Sequence, residues 1–305
     1  MQSDLTASTL AVKFRGLIRL TRWKETLPFT IPVTVLGSLL AFKAANVGPD
    51  WRLPVVALAN ILVVLYAFMI NDVEDAPDDA REAARAARNP ISCGELTRRE
   101  GWAASTLVGL LALALFALSG LWTLLIGAMT LALSYFYSWR FIRLKAWPVA
   151  DVVSHSLMLS GLLFLAGYFA YDAAPGPVWL VAAAMTLISV YGQLYNQVRD
   201  FDMDIAAGLH NTAIIVGKRN TQILMYLAIF SAAAMLITAY VIGVIPLWVP
   251  LIALVVVPFF FFFRVRIDMR GGKAADISGN VQIQALIVAN AIVGVWLVAV
   301  LLGLA

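Results

Sequence analysis

Charge is scarce in this sequence. Of 305 residues only 13% are Asp, Glu, Lys or Arg, whereas 62% are hydrophobic and the mean hydropathy is +0.86. A soluble domain of ordinary composition is about 25% charged and about 45–50% apolar. A globule of this length could not bury so much apolar surface, so a soluble fold is excluded, and disorder with it. Cys93 is the single cysteine, which excludes an internal disulfide framework. The alternating strands of about 10 residues that a membrane barrel needs are missing; the apolar runs are long and unbroken. An all-α polytopic membrane helical bundle is what remains. A pI near 9.3 invites a nucleic-acid partner. Positive charge gathered at one membrane face accounts for it, so no nucleic acid is expected.

A span takes about 20 mostly apolar residues. Nine stretches qualify, over residues 28–46, 54–71, 102–119, 121–138, 149–170, 177–196, 222–243, 246–263 and 282–304. Ser119-Gly120, Pro175-Gly176-Pro177 and the Gly243-to-Pro246 stretch mark turns between them. The first long apolar run follows a basic segment, 1–25, with no small-residue cleavage site, so no cleavable signal is expected. With nine spans, 20 of the 22 Lys and Arg residues fall on one side, all but Lys43 and Arg52. That side is expected to be cytoplasmic, with the N-terminus there and the C-terminus opposite. The expected setting is the lipid bilayer of the cell inner membrane.

Sixteen of the 18 acidic residues crowd the same side, all but Asp50 and Asp172. Acidic residues contribute little to topology, so they need another reason to be there. Two clusters supply it. Asn71, Asp75 and Asp79 are spaced by four, and so are Asn196, Asp200 and Asp204; Asp72 stands three before Asp75. Such spacing puts side chains on one helical face. The same ladder thus leaves a membrane helix twice, 125 residues apart (71 against 196). Stacked carboxylates repel unless a cation sits between them. Mg2+ binds one or two carboxylates together with phosphate oxygens and water. Two ladders facing across a bundle would hold one or more Mg2+ ions bridged to a diphosphate. The alternative is a pair of solvated acidic helix ends flanked by arginine. Pro77 sits inside the first ladder, and its missing N–H predicts that Asp79 diverges from the Asp72–Asp75 face.

Asn71, Asp72, Asp75 and Asp79 fit N-D-x-x-D-x-x-x-D, and Asp200 with Asp204 fits a second D-x-x-x-D. In these motifs the chain resembles the UbiA superfamily of intramembrane prenyltransferases. Arg88-Asn89-Pro90-Ile91-Ser92-Cys93-Gly94 is similar to the R-P-L-x-S-G segment after the family's first motif, one residue longer and with Asn89 where arginine is frequent. Tyr135-Phe136-Tyr137-Ser138 through Lys145 resembles the family's Y-S-x-x-x-x-x-K connection. Gly208, Thr212 and Gly217 resemble the stretch after the second motif. The resemblance spans essentially the whole chain. It implies one domain over 1–305, with nine transmembrane helices around a central cavity and the active site on the cytoplasmic side.

It further implies a prenyl diphosphate donor, Mg2+ as cofactor and a lipophilic acceptor, an aromatic ring in most branches. Asp72, Asp75, Asp79, Asp200 and Asp204 would hold the metal, with Asn71 and Asn196 as amide ligands or orienting groups. Lys145 leads the cations that would stabilise the departing pyrophosphate, with Arg22, Arg88, Arg143 and Arg199, and with Lys24, Arg81 and Arg85 as further candidates. Each is equally an anchor of the cytoplasmic face. Tyr135, Tyr137, Tyr191 and Tyr195 offer aromatic faces to an allylic cation or, alternatively, form an interfacial belt. Asp151 and His155, four apart, would contact the acceptor or take its proton; the alternative is a headgroup-layer Asp and a packing His. The run Phe259 to Phe263 either lines a tail pocket or faces lipid. Two rival functions stay open: capture of the cation by an alkene, as in carotenoid elongation or cyclisation, and ion or anionic-substrate transport. Transporters keep their charges near the midplane on broken helices, whereas these gather at one end.

Overall fold

The computed structural model of the chain describes residues 2–171, 173–206, 208–261, 268–269 and 274–304. The side chains of Phe259 to Phe263 lie outside the described residues, as do Asp172, Arg264, Arg266, Arg270 and Lys273. All regular structure among the described residues is helical. Eight helices are long and apolar enough to cross a membrane. They are α2 (Trp23–Ala45), α3 (Arg52–Asp79), α5 (Arg98–Ser119), α6 (Leu121–Ser138), α7 (Ala150–Phe169), α8 (Val178–Ala206), α10 (Lys218–Val241) and α12 (Gln282–Leu301). A shorter apolar helix, α11 (Val249–Phe261), occupies the eighth expected span. Two short helices, α4 (Ala83–Arg88) and α9 (Thr212–Val216), lie in the connections after α3 and α8.

Sequence patterning missed the helix α1 (Gln2–Thr21), which occupies most of the basic N-terminal segment. Its cations dock it: Lys13 pairs with Glu100, and Arg15 and Arg19 each lie 2.7 Å from Glu95. The bend into α2 falls at Arg22, whose backbone is left-handed at φ +49°. The two ladder helices run on past the ends their hydropathy marks, α3 through Asp79 and α8 through Ala206. Pro77 does not break the first: the helix continues through it.

The centre of the bundle is α2 laid against α3 and the second half of α7. Lipid offers no hydrophobic drive between helices, so close backbone approach and internal hydrogen bonds must hold them. Both occur here. Gly37 and Gly167 form the crossing: a Cβ on Gly37 would sit 2.2 Å from the Phe164 carbonyl, and one on Gly167 2.3 Å from that of Thr34. Beside it, Asn60 of α3 donates to Thr34 Oγ1 and to the Leu163 carbonyl, both at 2.8 Å, tying the three helices together. One π-turn, Leu157–Gly161, interrupts α7. It presents Met158 and Leu159 to the interior cavity described below. At the other end of the bundle, hydrogen bonds from Arg52 hold the Asp50 carboxyl below the usual carboxylate range.

Gly37→Ala and Gly167→Ala force two helix backbones apart, and overpacking of this kind costs about 1–3 kcal/mol. Each variant is expected to melt at a lower temperature than the parent in detergent. Gly192→Ala, which meets nothing within 4 Å, is expected to leave the melting temperature unchanged or raise it. Equal melting of Gly37→Ala and Gly192→Ala would refute the crossing.

Candidate active site

Where α3 and α8 end, a cavity of about 340 Å³ lies between them. Asn71, Asp75, Asp78 and Asp79 line it from α3; Asn196, Asp200 and Asp204 line it from α8. The two helices share no extensive packing and meet across this space. The lining contains five carboxylates (Asp75, Asp78, Asp79, Asp200, Asp204) and four cations (Arg22, Arg85, Arg143, Lys145). Ala67, Phe68, Met158 and Leu159 form its apolar wall. Among the described residues no three His, Cys, Asp or Glu side chains approach closely enough to form a ready-made metal cage. The oxygens are dispersed around the rim instead.

The first ladder is built around Asn71. Its Oδ1 accepts from Lys145 Nζ (3.0 Å) and Ser138 (3.2 Å), and its Nδ2 donates to Asp75 (3.1 Å). Lys145 donates to Asp75 as well, at 2.5 Å. Arg143 donates to Asp75 and Asp78, at 3.3 and 3.2 Å. Asp79 accepts from Asn89 (2.9 Å), whose Nδ2 also donates to the Asp72 carbonyl. The connection carrying both Arg143 and Lys145 turns on left-handed backbone, at φ +48° for Arg143 and +68° for Val149. Such conformations are unfavourable, most of all for a β-branched residue, and persist where surrounding contacts impose them.

Those contacts form a buried knot. Asp151 is fully buried, and its carboxylate accepts from Gln197 Nε2 (2.7 Å), the Thr212 N–H (2.8 Å), the Thr212 hydroxyl and the Val152 N–H (2.8 Å). Gln197 accepts from the Ala213 N–H (3.0 Å), and Thr212 Oγ1 accepts from the Val149 N–H (2.7 Å). The knot joins α7, α8 and α9, and so fixes the Lys145 connection relative to the second ladder. On that ladder, Asp204 accepts from Asn211 (2.7 Å).

Several expected contacts fall elsewhere. Asp79 does not diverge from Asn71 and Asp75; Asp72 does. At about 100° per residue, a step of four keeps a face while a step of one leaves it. Asp72 is buried behind the wall, 3.6 Å from Arg22. Asp151 is committed to the knot and does not line the cavity, whereas His155 one turn later does. Tyr137 lines the cavity, but Tyr135 stacks on Trp139 with centroids 5.2 Å apart, since two residues turn a helix by about 200°. Tyr191 donates to Ser278 (2.8 Å) and Tyr195 accepts from the Ala275 N–H (2.9 Å), so both clamp the segment before α12. Arg88 pairs with Glu25 (3.0 Å). Arg199 binds Asp200 through two nitrogens, at 2.8 and 2.9 Å, and reaches the buried Asp268 at 3.2 Å. Asp78, Gln193, His210 and Asn211 line the cavity unforeseen. Gln193 had a visible signal: an amide inside an apolar run, three before Asn196.

The UbiA prenyltransferase family matches residues 30–279. The chain belongs to that family. Among its relatives is a 4-hydroxybenzoate octaprenyltransferase of Paracidovorax citrulli, 26% identical over 248 residues, 78% of this chain and 79% of the other. A lycopene elongase/hydratase of Haloferax volcanii is 33% identical over 178 residues, 55% of this chain and 54% of that protein. The solved UbiA homolog of Archaeoglobus fulgidus, bound to GPP and Mg2+, superposes with a TM-score of 0.72 at 23% identity, over 93% of this chain and 99% of the other. At that identity the likeness establishes the UbiA fold. Membership makes the chain an integral membrane prenyltransferase and sets transport aside.

Asp151→Ala strands several buried donors, and each such group costs about 1–3 kcal/mol. It is expected to lower the melting temperature clearly, while Gln193→Ala, on the open cavity wall, melts like the parent. If Asp151→Ala melts like the parent, the knot does not hold this end together.

Proposed function

We propose that this protein moves the isoprenoid chain of a prenyl diphosphate onto a lipophilic, aromatic acceptor, with Mg2+ and release of pyrophosphate, at the cytoplasmic face of the inner membrane. One observation carries the reading. A single cavity is lined by both signs of charge above an apolar wall. A pure cation site would exclude the four basic groups, and a pure anion site the five carboxylates. A metal diphosphate with a hydrocarbon tail uses all three.

The donors fit Mg2+: they are hard oxygens, carboxylate and amide, and Mg2+ takes few protein ligands, completing its shell with phosphate oxygens and water. Asp75, Asp79, Asp200 and Asp204 would hold it, with Asn71 and Asn196 as amide oxygens. When bound, the metal neutralises the diphosphate and favours its departure. Lys145 and Arg143 donate to the departing oxygens, exchanging a carboxylate partner for a phosphate one. Arg22, paired with Glu25 at 2.6 Å and lying 3.6 Å from Asp72 and 4.8 Å from the Phe68 ring, adds a third positive charge. Phe68, Met158 and Leu159 accept the tail and exclude water. Tyr137, His155 and Gln193 offer polar atoms to the acceptor. The Lys and Arg bias supports the cytoplasmic assignment. Support for the aromatic acceptor and the metal comes from the 4-hydroxybenzoate relatives and the GPP–Mg2+ homolog. The lycopene elongase/hydratase relative, of higher identity over a shorter match, favours a second reading in which an alkene captures the cation.

Protein in nanodiscs with geranylgeranyl diphosphate, Mg2+ and 4-hydroxybenzoate is expected to release pyrophosphate, to stop on chelation and to resume when Mg2+ returns. Asp75→Asn, Asp200→Asn and Lys145→Met are each expected to slow release by about 100-fold or more, with unchanged melting. Turnover with lycopene and not with aromatic acceptors would select the second reading. Normal turnover in Asp75→Asn and Asp200→Asn would sink both.

A further inference from the structure

A second cleft lies at the same end of the bundle, on the outer side of α3, and the prenyl-transfer site makes no use of it. Its volume is about 610 Å³. Glu74, on α3, forms its floor. That carboxylate is buried, accepting from Arg98 Nη2 at 3.2 Å and from the Arg140 N–H at 3.4 Å. Arg98, Arg99 and Arg140 all line the cleft, and Glu74 is the one acid among its lining residues. Three guanidinium groups against one carboxylate leave a surplus of two positive charges. Arg99 and Arg140 are exposed, so their charges are presented outward.

The remaining wall is aromatic. Trp102, Trp139 and Phe141 line it, with Trp139 and Phe141 edge to face at 5.2 Å and Phe141 79% exposed. From this wall α5 and α6 run on through the membrane with their outer faces bare: Leu107, Leu110, Leu125 and Met129 are all exposed. The cleft therefore joins a cationic rim to a lipid-facing apolar track at the depth where headgroups lie. Arginines that only anchor a membrane face need no shared hollow, and no buried acid holding the side chain of one and the backbone of another.

We propose that this cleft binds an acidic phospholipid, with its phosphate on Arg98, Arg99 and Arg140 and its acyl chains along α5 and α6. Guanidinium groups match phosphate oxygens two at a time, and interfacial tryptophan suits the glycerol layer between. Basic hollows between membrane helices are a known form of lipid recognition.

The test uses the full-length protein in phosphatidylcholine nanodiscs holding the same amount of bromine-labelled lipid, carried either on phosphatidylglycerol or on phosphatidylcholine. Bromine quenches nearby tryptophan; Trp102 and Trp139 are two of the chain's nine, so the cleft's share of the quenching is the part that Trp102→Phe with Trp139→Phe removes. The parent is expected to be quenched more by the phosphatidylglycerol label. Arg99→Gln with Arg140→Gln is expected to lose that preference. Arg81→Gln with Arg219→Gln removes as much charge from the same end, outside the cleft, and is expected to keep it. Equal quenching in the parent, or equal loss in both double variants, overturns the proposal. So does loss of the preference on adding inorganic phosphate, which would assign the cleft to the free anion.

Discussion

Five carboxylates turned toward one cavity repel one another, and the surrounding structure is organised to hold them there. Two like charges about 4 Å apart near a protein surface oppose each other by about 4 kcal/mol. The first ladder answers with Lys145, which reaches Asn71 and Asp75 together, and with Arg143, which spans Asp75 and Asp78. The second answers with Arg199 on Asp200 and Asn211 on Asp204. Of these partners only Arg199 stands on the helix it neutralises. The others arrive on connecting segments, so the charge balance of the site depends on how those segments are fixed.

That fixing explains a placement that otherwise looks wasteful. A fully buried aspartate, Asp151, receives four hydrogen bonds and does not line the site cavity. It gathers the ends of three helices and holds the backbone from Val149 in a conformation a valine seldom adopts. The Lys145 connection inherits its position from this knot. α1 acts likewise on the other flank: its ion pairs with Glu95 and Glu100 set the bend at which Arg22 enters the cavity.

The spans were legible because a membrane helix is the strongest signal a sequence carries, a long run with a known minimum length. α6 begins and ends as its apolar run does. The ladders were legible as spacing, and the steps of four carried the helix past the apolar run; hydropathy alone stops where charge begins, whereas backbone hydrogen bonding does not. α1 was hidden for a tertiary reason, since its cations find their partners far along the chain. The tyrosines and Asp151 show the deeper limit. Periodicity tells which residues share a face, not what covers that face. The segment before α12 covers Tyr191 and Tyr195, and α9 covers Asp151. Lys145 was found through family likeness alone, and the structure supplies the reason for it.

The central claim is that the two ladders share one metal-bound diphosphate, and a double-mutant cycle addresses it directly. Binding of geranyl diphosphate in the presence of Mn2+, read from the manganese resonance spectrum, would be measured for the parent, Asp75→Asn, Asp200→Asn and the double variant. Residues acting on one shared group are strongly non-additive, whereas independent sites add. The account predicts that the double variant binds little worse than either single one. Additive losses across the two ladders would contradict it.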